Sequence, residues 1–458
     1  MSETQAAAMP IAPPPRAHSP TFFGEPRALA YLAFTEAWER FSYYGMTALL
    51  VLYMSQALFT PQHIGHIAGF AAFRAGLEAV FGRMSTLAFA SQVYGLYTGF
   101  VYFTPLFGGL VADRLIGRRN AVMLGAILMS AGHVAMAFDA SFLLALALLI
   151  TGCGLLKGNI STQVGELYPE EDAGGRTRGF AIFSMAINVG AVAGPLACGL
   201  LAQIYDWHAG FALAGVLMLL GLATYVAGFR HLSDPDRKPR APAAPAEQGQ
   251  LRIVLALFVV MAITVFQSIA FYQNSDVGLL WIDQHVDRTL LGFALPQAWF
   301  VAINSFVSIV AVPPLFALWR WQARHGGEPD EMQKIAMGAW ITVAANLVQA
   351  AGSLAGSHLS VLYPVLYNVL LGIGFLYYWP TLLALVSGAA PPRIRATMMG
   401  CVFLTLFLSN ITIGRVGALY ENLGPAKFWA LNAAIAAAGG LLAFLLGRPL
   451  RRILASHA

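Results

Sequence analysis

Long apolar runs recur along almost the whole chain and limit its fold more than any other feature. Runs such as 121–138, 141–154 and 431–446 approach or reach the roughly 20 residues that a helix needs to cross a lipid bilayer. Backbone groups cannot stay unpaired in lipid, so these runs must be helical. Only 11% of the 458 residues are charged and 58% are hydrophobic, which leaves too few polar side chains to cover a water-soluble surface. The sequence therefore predicts an all-α membrane protein.

Apolar length, Gly and Pro positions and charge clusters together predict about twelve membrane-spanning helices. We place them at 30–54, 86–112, 120–138, 141–165, 177–201, 207–230, 251–281, 298–319, 334–352, 359–386, 396–419 and 426–447. The segment 231–250 is polar and Pro-rich, unlike its flanks, and predicts a cytoplasmic linker between two bundles of about six helices each. The predicted domains are a disordered cytoplasmic tail (1–27), an N-terminal bundle (28–230), the linker (231–250), a C-terminal bundle (251–449) and a second cytoplasmic tail (450–458).

The basic residues favour one side of the predicted membrane. With the N-terminus inside, the cytoplasmic segments collect most of the arginines and lysines, whereas the opposite side has only Arg74, Arg83, Arg288 and Lys427. This asymmetry is typical of inner-membrane proteins and predicts a multi-pass cell-membrane protein with both termini in the cytoplasm. It also accounts for the net charge of +5 without a nucleic-acid partner.

The first predicted span contains charged residues at a depth where lipid surrounds the helix. In FTEAWERFSYYGMTALL, Glu36 and Arg40 are four residues apart and share a helical face, with Glu39 beside them. Charges at that depth are costly and usually functional. A substrate carboxylate that bound Arg40 would leave Glu39 free to accept a proton, which predicts coupling of proton and solute movement. The alternative is a static ion pair that only fixes helix packing.

Two further charged residues lie inside predicted spans. Lys157 has no acid within one turn of its own helix, so we expect its partner to be a first-span glutamate; the alternative is a lysine that extends to the membrane interface. Asp276, in FYQNSDVGLLWID, is either a proton or amine site or a residue already wetted at the outer surface.

The remaining motifs argue against catalysis. Cys153, Cys198 and Cys401 have the spacing of neither a metal site nor a disulfide framework, and we expect buried thiols without chemistry. No phosphate-binding glycine loop and no nucleophile with its base is recognisable. We therefore expect no enzyme activity, no cofactor and no metal.

Several motifs resemble those of a known family. GGLVADRLIGRR, at 108–119, resembles the loop signature of the major facilitator superfamily, and Glu36-x-x-Glu39-Arg40-Phe41-x-Tyr43-Tyr44-Gly45 resembles the hallmark of the proton-dependent oligopeptide transporters. Further matches, among them VYFTPLFGG, GLLKGNIS, AINVG and PQAWFVAINS, extend over nearly the whole chain. The resemblance implies the major facilitator fold, in which two six-helix bundles surround a central site.

The resemblance and the positions of polar and aromatic residues within the spans predict three groups of functional residues. The predicted proton-coupling cluster is Glu36, Glu39, Arg40 and Lys157. The predicted substrate-binding residues are Arg40, Tyr43, Tyr44, Tyr102, Lys157, Asn188, Tyr272, Gln273, Asp276, Asn304, Tyr378 and Trp379. The predicted gating loop contains Gly109, Asp113, Arg114, Gly117 and Arg118, whose small residues allow close helix approach and whose charges can form and break ion pairs.

The sequence also departs from the family pattern. Phe375 occupies the position at which the family typically has a tenth-span glutamate that receives the substrate's amino group. Thr47, Gly158, Ser184 and Trp379 differ from the usual residues as well. We expect Arg40 and Lys157 to attract the substrate carboxylate, and Asp276 or the aromatic residues at 377–379 to take the amine.

These observations predict a monomeric proton-coupled symporter that imports di- or tripeptides, or peptide-like solutes, by alternating access. One alternative keeps the fold but carries a small carboxylate-bearing solute without a free amine. Another alternative is a membrane sensor that binds its ligand without transporting it.

Overall fold

The protein is described by a computed structural model that covers residues 21–22, 24–169, 172–232, 250–356, 358–391 and 394–455. Most of the predicted tail at 1–27 and of the predicted linker at 231–250 lies outside the described residues, as does the end of the predicted tail at 450–458.

Helices make up both halves of the chain. The N-terminal half contains α1 (Arg27–Tyr53), α2 (Phe70–Phe81), α3 (Thr86–Phe103), α4 (Pro105–Val111), α5 (Arg118–Ala135), α6 (Phe142–Glu166), α7 (Ala173–Ile204) and α8 (Trp207–Gly228). The C-terminal half contains α9 (Gln250–Tyr272), α10 (Val277–His285), α11 (Gln297–Val310), α12 (Val312–His325), α13 (Glu331–Ala355), α14 (Leu362–Ala389), α15 (Arg395–Gly417), α16 (Tyr420–Leu423) and α17 (Pro425–Ala455). Two short antiparallel hairpins pair β1 (Thr21–Phe22) with β2 (Glu25–Pro26) and β3 (Thr289–Leu290) with β4 (Phe293–Ala294).

Within the described ranges, nine helical segments are long and apolar enough to cross a membrane, and the bent pair α11 and α12 would make a tenth. Helix α1 packs against α7 and α8, and α5 packs against α6 and α8, so these two lie in the same bundle as the counted helices. They are the remaining two of the predicted twelve, and their span across the bilayer stays a prediction. The bend of 44° between α11 and α12 falls just before Pro313 and Pro314, which cannot donate backbone hydrogen bonds to the preceding turn.

Contacts between the two halves close one end of the molecule. Gln56 Nε2 donates to Asp283 Oδ2 over 2.8 Å, Trp299 Nε1 donates to the Leu196 carbonyl over 2.8 Å, and Arg415 donates to the Phe81 carbonyl over 2.7 Å. Each bond joins an N-terminal helix or loop to the C-terminal half. The bonds lie at the predicted outer end, where basic residues are few. The end predicted to face outward is therefore closed in this structure.

The apolar core follows the same division. One large cluster of buried side chains runs through the N-terminal half and across the closed end into the C-terminal half. A second cluster, around Leu257, Met398 and Val402, lies inside the C-terminal half at the opposite end. The halves therefore share a core at the closed end and keep separate packing at the predicted cytoplasmic end, as expected if one half rocks against the other.

The closed end depends on a close approach of α3 to α15. A Cβ on Gly414 would lie 2.8 Å from the Ser91 carbonyl oxygen, and a Cβ on Gly95 would collide with the Asn410 carbonyl oxygen. Backbone atoms cannot move aside as a flexible side chain can, so these glycines let the halves meet. The contact is the small-residue packing that membrane helices commonly use.

If the chain is the symporter that its sequence predicts, Gly95→Ala should impair closure of the predicted outer side and lower gradient-driven uptake about tenfold, since overpacking costs about 1–3 kcal/mol. Gly400→Ala is the matched control, because a Cβ at Gly400 on α15 meets nothing within 4 Å. Uptake into proteoliposomes and thermal unfolding in detergent would be measured for both variants. Equal uptake by the two would contradict the role given to this contact.

Candidate functional site

Helix α1 buries a trio of charged side chains. Glu36, Glu39 and Arg40 are 2%, 0% and 3% exposed, and Arg40 Nε lies 3.0 Å from Glu36 Oε1 while it also pairs with Glu39. Helix α7 packs closely against the trio, since a Cβ on Gly190 would lie 2.8 Å from Arg40 Cβ. The i, i+4 pairing inferred from the sequence is therefore present, and the trio has no direct access to water.

The trio is not saturated by its own contacts. Two carboxylates share one guanidinium, and Glu36 Oε2 and Arg40 Nη2 are buried without a hydrogen bond to the described residues. Unpaired buried polar atoms are costly, so a purely structural ion pair would be expected to satisfy them. A free acceptor beside a free donor can instead take up a proton and a ligand anion.

Lys157 faces the trio from α6 but does not pair with it directly. Its Nζ lies 4.1 Å from the centre of the Tyr102 ring, and the charges of Arg40, Glu39 and Glu36 act on it. Among the described residues, Lys157 forms no ion pair within 4.0 Å, and its predicted partnership with the first-span glutamates stays a prediction. Lys157 is half-buried as a residue, and its ammonium lies over the Tyr102 ring inside the protein instead of extending to the interface.

Cys153 belongs to the site although the sequence suggested no role for it. Its Sγ lies 3.9 Å from Glu39 Oε1, one helical turn before Lys157 on the same face of α6. The spacing of four residues between Cys153 and Lys157 places both side chains on one helical face, and this could have indicated from the sequence that Cys153 lies at the site. The described residues contain no group of three or more His, Cys, Asp or Glu side chains that could hold a metal ion.

Tyrosines extend the site from the trio to the other half. The rings of Tyr43 and Tyr44 meet edge to face at 5.2 Å, and the Arg40 guanidinium lies 5.6 Å from the Tyr43 ring centre. The Tyr102 hydroxyl is within hydrogen-bonding reach of Tyr272, which ends α9 in the C-terminal half. These four predicted residues therefore lie together around the charged groups.

The C-terminal half presents aromatic rings instead of charge. The Phe375 ring lies 5.4 Å from Phe271, 5.7 Å from Tyr378 and 6.4 Å from Trp379, and Trp379 lies 6.2 Å from Phe403. We call these five residues the aromatic cluster. Phe271 and Phe403 had not been predicted, because their contacts join three helices that are distant in sequence.

The aromatic residues predicted to take the amine differ in access. Tyr378 is fully buried and its hydroxyl lies 3.2 Å from Ser268 Oγ, while Tyr377 packs against Trp319. Trp379 and its neighbour Phe375 are partly exposed. The predicted contact of Tyr378 with substrate therefore has no open surface in this structure, whereas Phe375 and Trp379 keep part of their surface exposed. The predicted contact of Trp379 with substrate stays a prediction.

Gln273 and Asp276 are fully buried in contact with α15. Gln273 Nε2 donates to the Ile413 carbonyl over 3.1 Å, and a Cβ on Gly417 would lie 2.7 Å from Asp276 Oδ2. The interpretation of Asp276 as a wet surface residue is therefore wrong. Neither side chain lines open space in this structure, so the prediction that they bind substrate finds no support here.

Two asparagines were predicted to bind the peptide from opposite halves. Asn188 on α7 is half-buried, and Asn304 on α11 is 8% exposed, with its Oδ1 accepting from Ser305 Oγ over 3.3 Å. Their contact with substrate stays a prediction.

The predicted gating loop forms ion pairs within the N-terminal half. Arg118 lies 3.0 Å from Asp113 and also pairs with Glu166 at the end of α6, while Arg114 is exposed. Gly117 adopts a φ of +80°, which explains glycine there. The close helix approach is made by Gly108, whose Cβ would collide with Gly154, and not by Gly109, around which space is open. That the loop gates transport stays a prediction.

Comparisons with known proteins agree with this architecture. The sequence profile of the POT family matches residues 119–248 and 241–429. The chain is 28% identical to the di-/tripeptide transporter of Lactococcus lactis subsp. cremoris, over 95% of this chain and 97% of the relative. It is also 28% identical to the peptide transporter YePEPT of Yersinia enterocolitica subsp. palearctica, over 95% and 96%.

A solved structure shares the fold over almost the full length. The crystal structure of the peptide transporter POT in complex with sulfate superposes with a TM-score of 0.82 at 25% identity, covering 95% of this chain and 97% of that one. Its family consists of transporters and not of enzymes. The chain is accordingly a multi-pass membrane protein of the POT family, the proton-dependent oligopeptide transporters of the major facilitator superfamily.

Proposed function

We propose that the protein imports di- and tripeptides together with protons, by alternating access of a site between its halves. The observation that carries the proposal is the buried trio of Glu36, Glu39 and Arg40. Within the described ranges it keeps an acceptor and a donor without a hydrogen bond, and the ammonium of Lys157 forms no ion pair there. Such a group can exchange partners when an anion arrives. The names of the relatives, a di-/tripeptide transporter and a peptide transporter, support a peptide as the cargo.

The peptide carboxylate would bind between Arg40 and Lys157. Arg40 Nη2 has no hydrogen-bond acceptor among the described residues, and the Lys157 ammonium faces only the Tyr102 ring among the contacts given above. Hydrogen bonds between charged groups are short and about twice as strong as neutral ones. A carboxylate there would accept hydrogen bonds from these two donors.

Binding of that carboxylate would make Glu39 accept a proton. Glu39 is fully buried and is paired with Arg40, so an anion that recruits the guanidinium leaves the glutamate charged in a dry site. A buried carboxylate without a cation is far less stable than a neutral carboxyl group. The proton and the peptide would therefore enter as one unit and leave together at the cytoplasmic side.

The amine end of the peptide would face Phe375 and Trp379. A cation over an aromatic face is attracted by about 0.5–2 kcal/mol, less than a carboxylate would supply. The aromatic cluster therefore supports binding of the amine by cation–π contact together with apolar peptide side chains. We further propose that the protein acts as a monomer, with both termini in the cytoplasm.

Uptake by purified protein in liposomes tests the proposal. A labelled dipeptide is supplied outside, with and without an inward proton gradient, and accumulation above the outside concentration is expected only with the gradient. Equal uptake in both conditions would exclude coupling. Ligand-dependent thermal stabilisation without any flux would instead favour a sensor.

We expect Phe375→Glu to raise the preference for free dipeptides over N-acetylated ones about tenfold, because a carboxylate can pair with the ammonium. The control is Phe375→Gln, which has nearly the same shape and no charge. Competition of both peptide forms with a labelled dipeptide measures the preference. The same preference in the two variants would place the amine elsewhere.

A further inference from the structure

A second buried acid lies at the contact between the halves, away from the trio. Asp276 directly precedes α10 and is 0% exposed, between α3 of the N-terminal half and α15. A Cβ on Gly417 would lie 2.7 Å from Asp276 Oδ2 and 3.1 Å from Ser91 Oγ. The carboxyl group and the Ser91 hydroxyl therefore face the same small gap across the two halves.

In the part of the chain that the structure describes, no positive charge pairs with Asp276. Among the described residues it forms no ion pair within 4.0 Å, and both carboxyl oxygens are buried. Its polar neighbours are the Ser91 hydroxyl and the Tyr94 side chain, both on α3. The arginine of α15, Arg415, contacts the Phe81 carbonyl and the Phe81 ring instead.

The closed outer end therefore requires a neutral carboxyl group at Asp276. Ionised carboxylates are not tolerated in a dry site without a cation, whereas a protonated carboxyl can donate a hydrogen bond to a hydroxyl. When the halves separate on the outer side, the gap between α3 and α15 opens to external water and the acid can ionise. Closing that end again must then bind a proton from the outside.

We propose that Asp276 is a second proton-binding group of the transport cycle, loaded from the outer side and required for closure between α3 and α15. This inference rests on the proposed function. It assigns the two acidic sites different tasks. Glu39 has a guanidinium to exchange with substrate, so its proton follows the peptide; Asp276 has no such partner, so its proton follows the closing movement.

Because the gap at Asp276 opens only to the outer side, the proton that the acid binds on closing returns to the outside when the gap reopens. Replacement of the acid should therefore leave the number of protons moved per peptide unchanged. Reversal potentials of Asp276→Asn and of the unmodified protein are compared in proteoliposomes, and the ratio of protons to peptide is expected to be the same in both. Ser91→Ala is the matched control, because it removes the hydroxyl and leaves the titrating carboxyl. A ratio lower by one proton in Asp276→Asn would overturn the proposal, because the proton of Asp276 would then cross the membrane with the peptide.

The outcome separates this inference from the proposed function. If the unmodified protein does not accumulate peptide in a proton gradient, the proposed function fails. If it does and opening of the closed end depends on external pH in Asp276→Asn as it does in the unmodified protein, only the role of Asp276 fails.

Access to the closed end provides a second measurement. Ala298 is 2% exposed at the start of α11 and packs against Gly199 of α7 across the halves. A cysteine introduced there, Ala298→Cys, should react with a membrane-impermeant maleimide only when this end opens. The background for this variant carries Cys153→Ala, Cys198→Ala and Cys401→Ala, which removes the native thiols. Ionised Asp276 favours the open side, so labelling is expected to increase as the external pH rises. With Asp276→Asn, labelling is expected to lose this dependence.

Two checks keep the measurement interpretable. Thermal unfolding in detergent shows whether Asp276→Asn is folded, and Asp276→Glu, which keeps a titrating carboxyl, should retain the pH dependence. Asp283 and Arg288 remain in every variant and cannot cause the difference. If labelling of Asp276→Asn depended on external pH as labelling of the protein with Asp276 does, the proposal would be overturned.

Discussion

Glu39→Gln is expected to abolish accumulation of peptide driven by a proton gradient. The amide has nearly the shape of the carboxyl group but cannot bind and release a proton. Each proton that moves down one pH unit supplies about 1.4 kcal/mol, which corresponds to a tenfold concentration ratio of the cargo. In a gradient of one pH unit, loss of this proton should therefore lower the accumulated peptide about tenfold.

Cys153→Ala is the matched control for that experiment. The thiol lies 3.9 Å from Glu39 Oε1 and is buried like the glutamate, but it is not expected to carry a proton in the cycle. We expect it to retain accumulation. Binding, measured as thermal stabilisation by a dipeptide, should remain detectable in Glu39→Gln. Undiminished gradient-driven accumulation in Glu39→Gln would contradict the proposed coupling.

The positions of most helices could be predicted from the sequence because lipid imposes a minimum apolar length. The predicted span 141–165 corresponds to α6 (Phe142–Glu166), and 207–230 corresponds to α8 (Trp207–Gly228). The interruptions were not predicted. Span 251–281 is broken at Gln273–Ser275, where composition alone gives no break, and span 298–319 is bent at Ala311, where Pro313 and Pro314 were an available signal.

The site was predictable where its residues share one helix. Glu36 and Arg40 meet because four residues make one helical turn, and this spacing is visible in the sequence. The neighbours of Lys157 and Asp276 were not predictable. Tyr102 lies beside Lys157, and Ser91 lies beside Asp276, because of how separate helices pack, and no local pattern encodes that packing. Asp276 is buried because α3 and α15 pack against each other, and the sequence does not show that contact.

The position of Lys157 makes a separate prediction about the carboxylate end of the substrate. The residue is half-buried, and its ammonium faces an aromatic ring without an ion pair among the described residues. If it binds the peptide carboxylate, Lys157→Gln should weaken a free dipeptide about 10- to 100-fold, since hydrogen bonds to charged groups contribute about 1.5–3 kcal/mol. A dipeptide amidated at its C-terminus has no such charge, and its affinity should change less than about threefold.

The comparison of the two peptides distinguishes binding from folding. Competition with a labelled dipeptide gives both affinities for each variant. Lys427→Gln removes the same charge from an exposed position near the start of α17 and should leave both affinities unchanged. Tyr102→Phe keeps the ring under the ammonium and should preserve the difference between free and amidated peptide. Only a charge-specific contact depends on the charge of the ligand. An equal loss of affinity for both peptides in Lys157→Gln would therefore show that the lysine supports the structure of the site and does not bind the carboxylate.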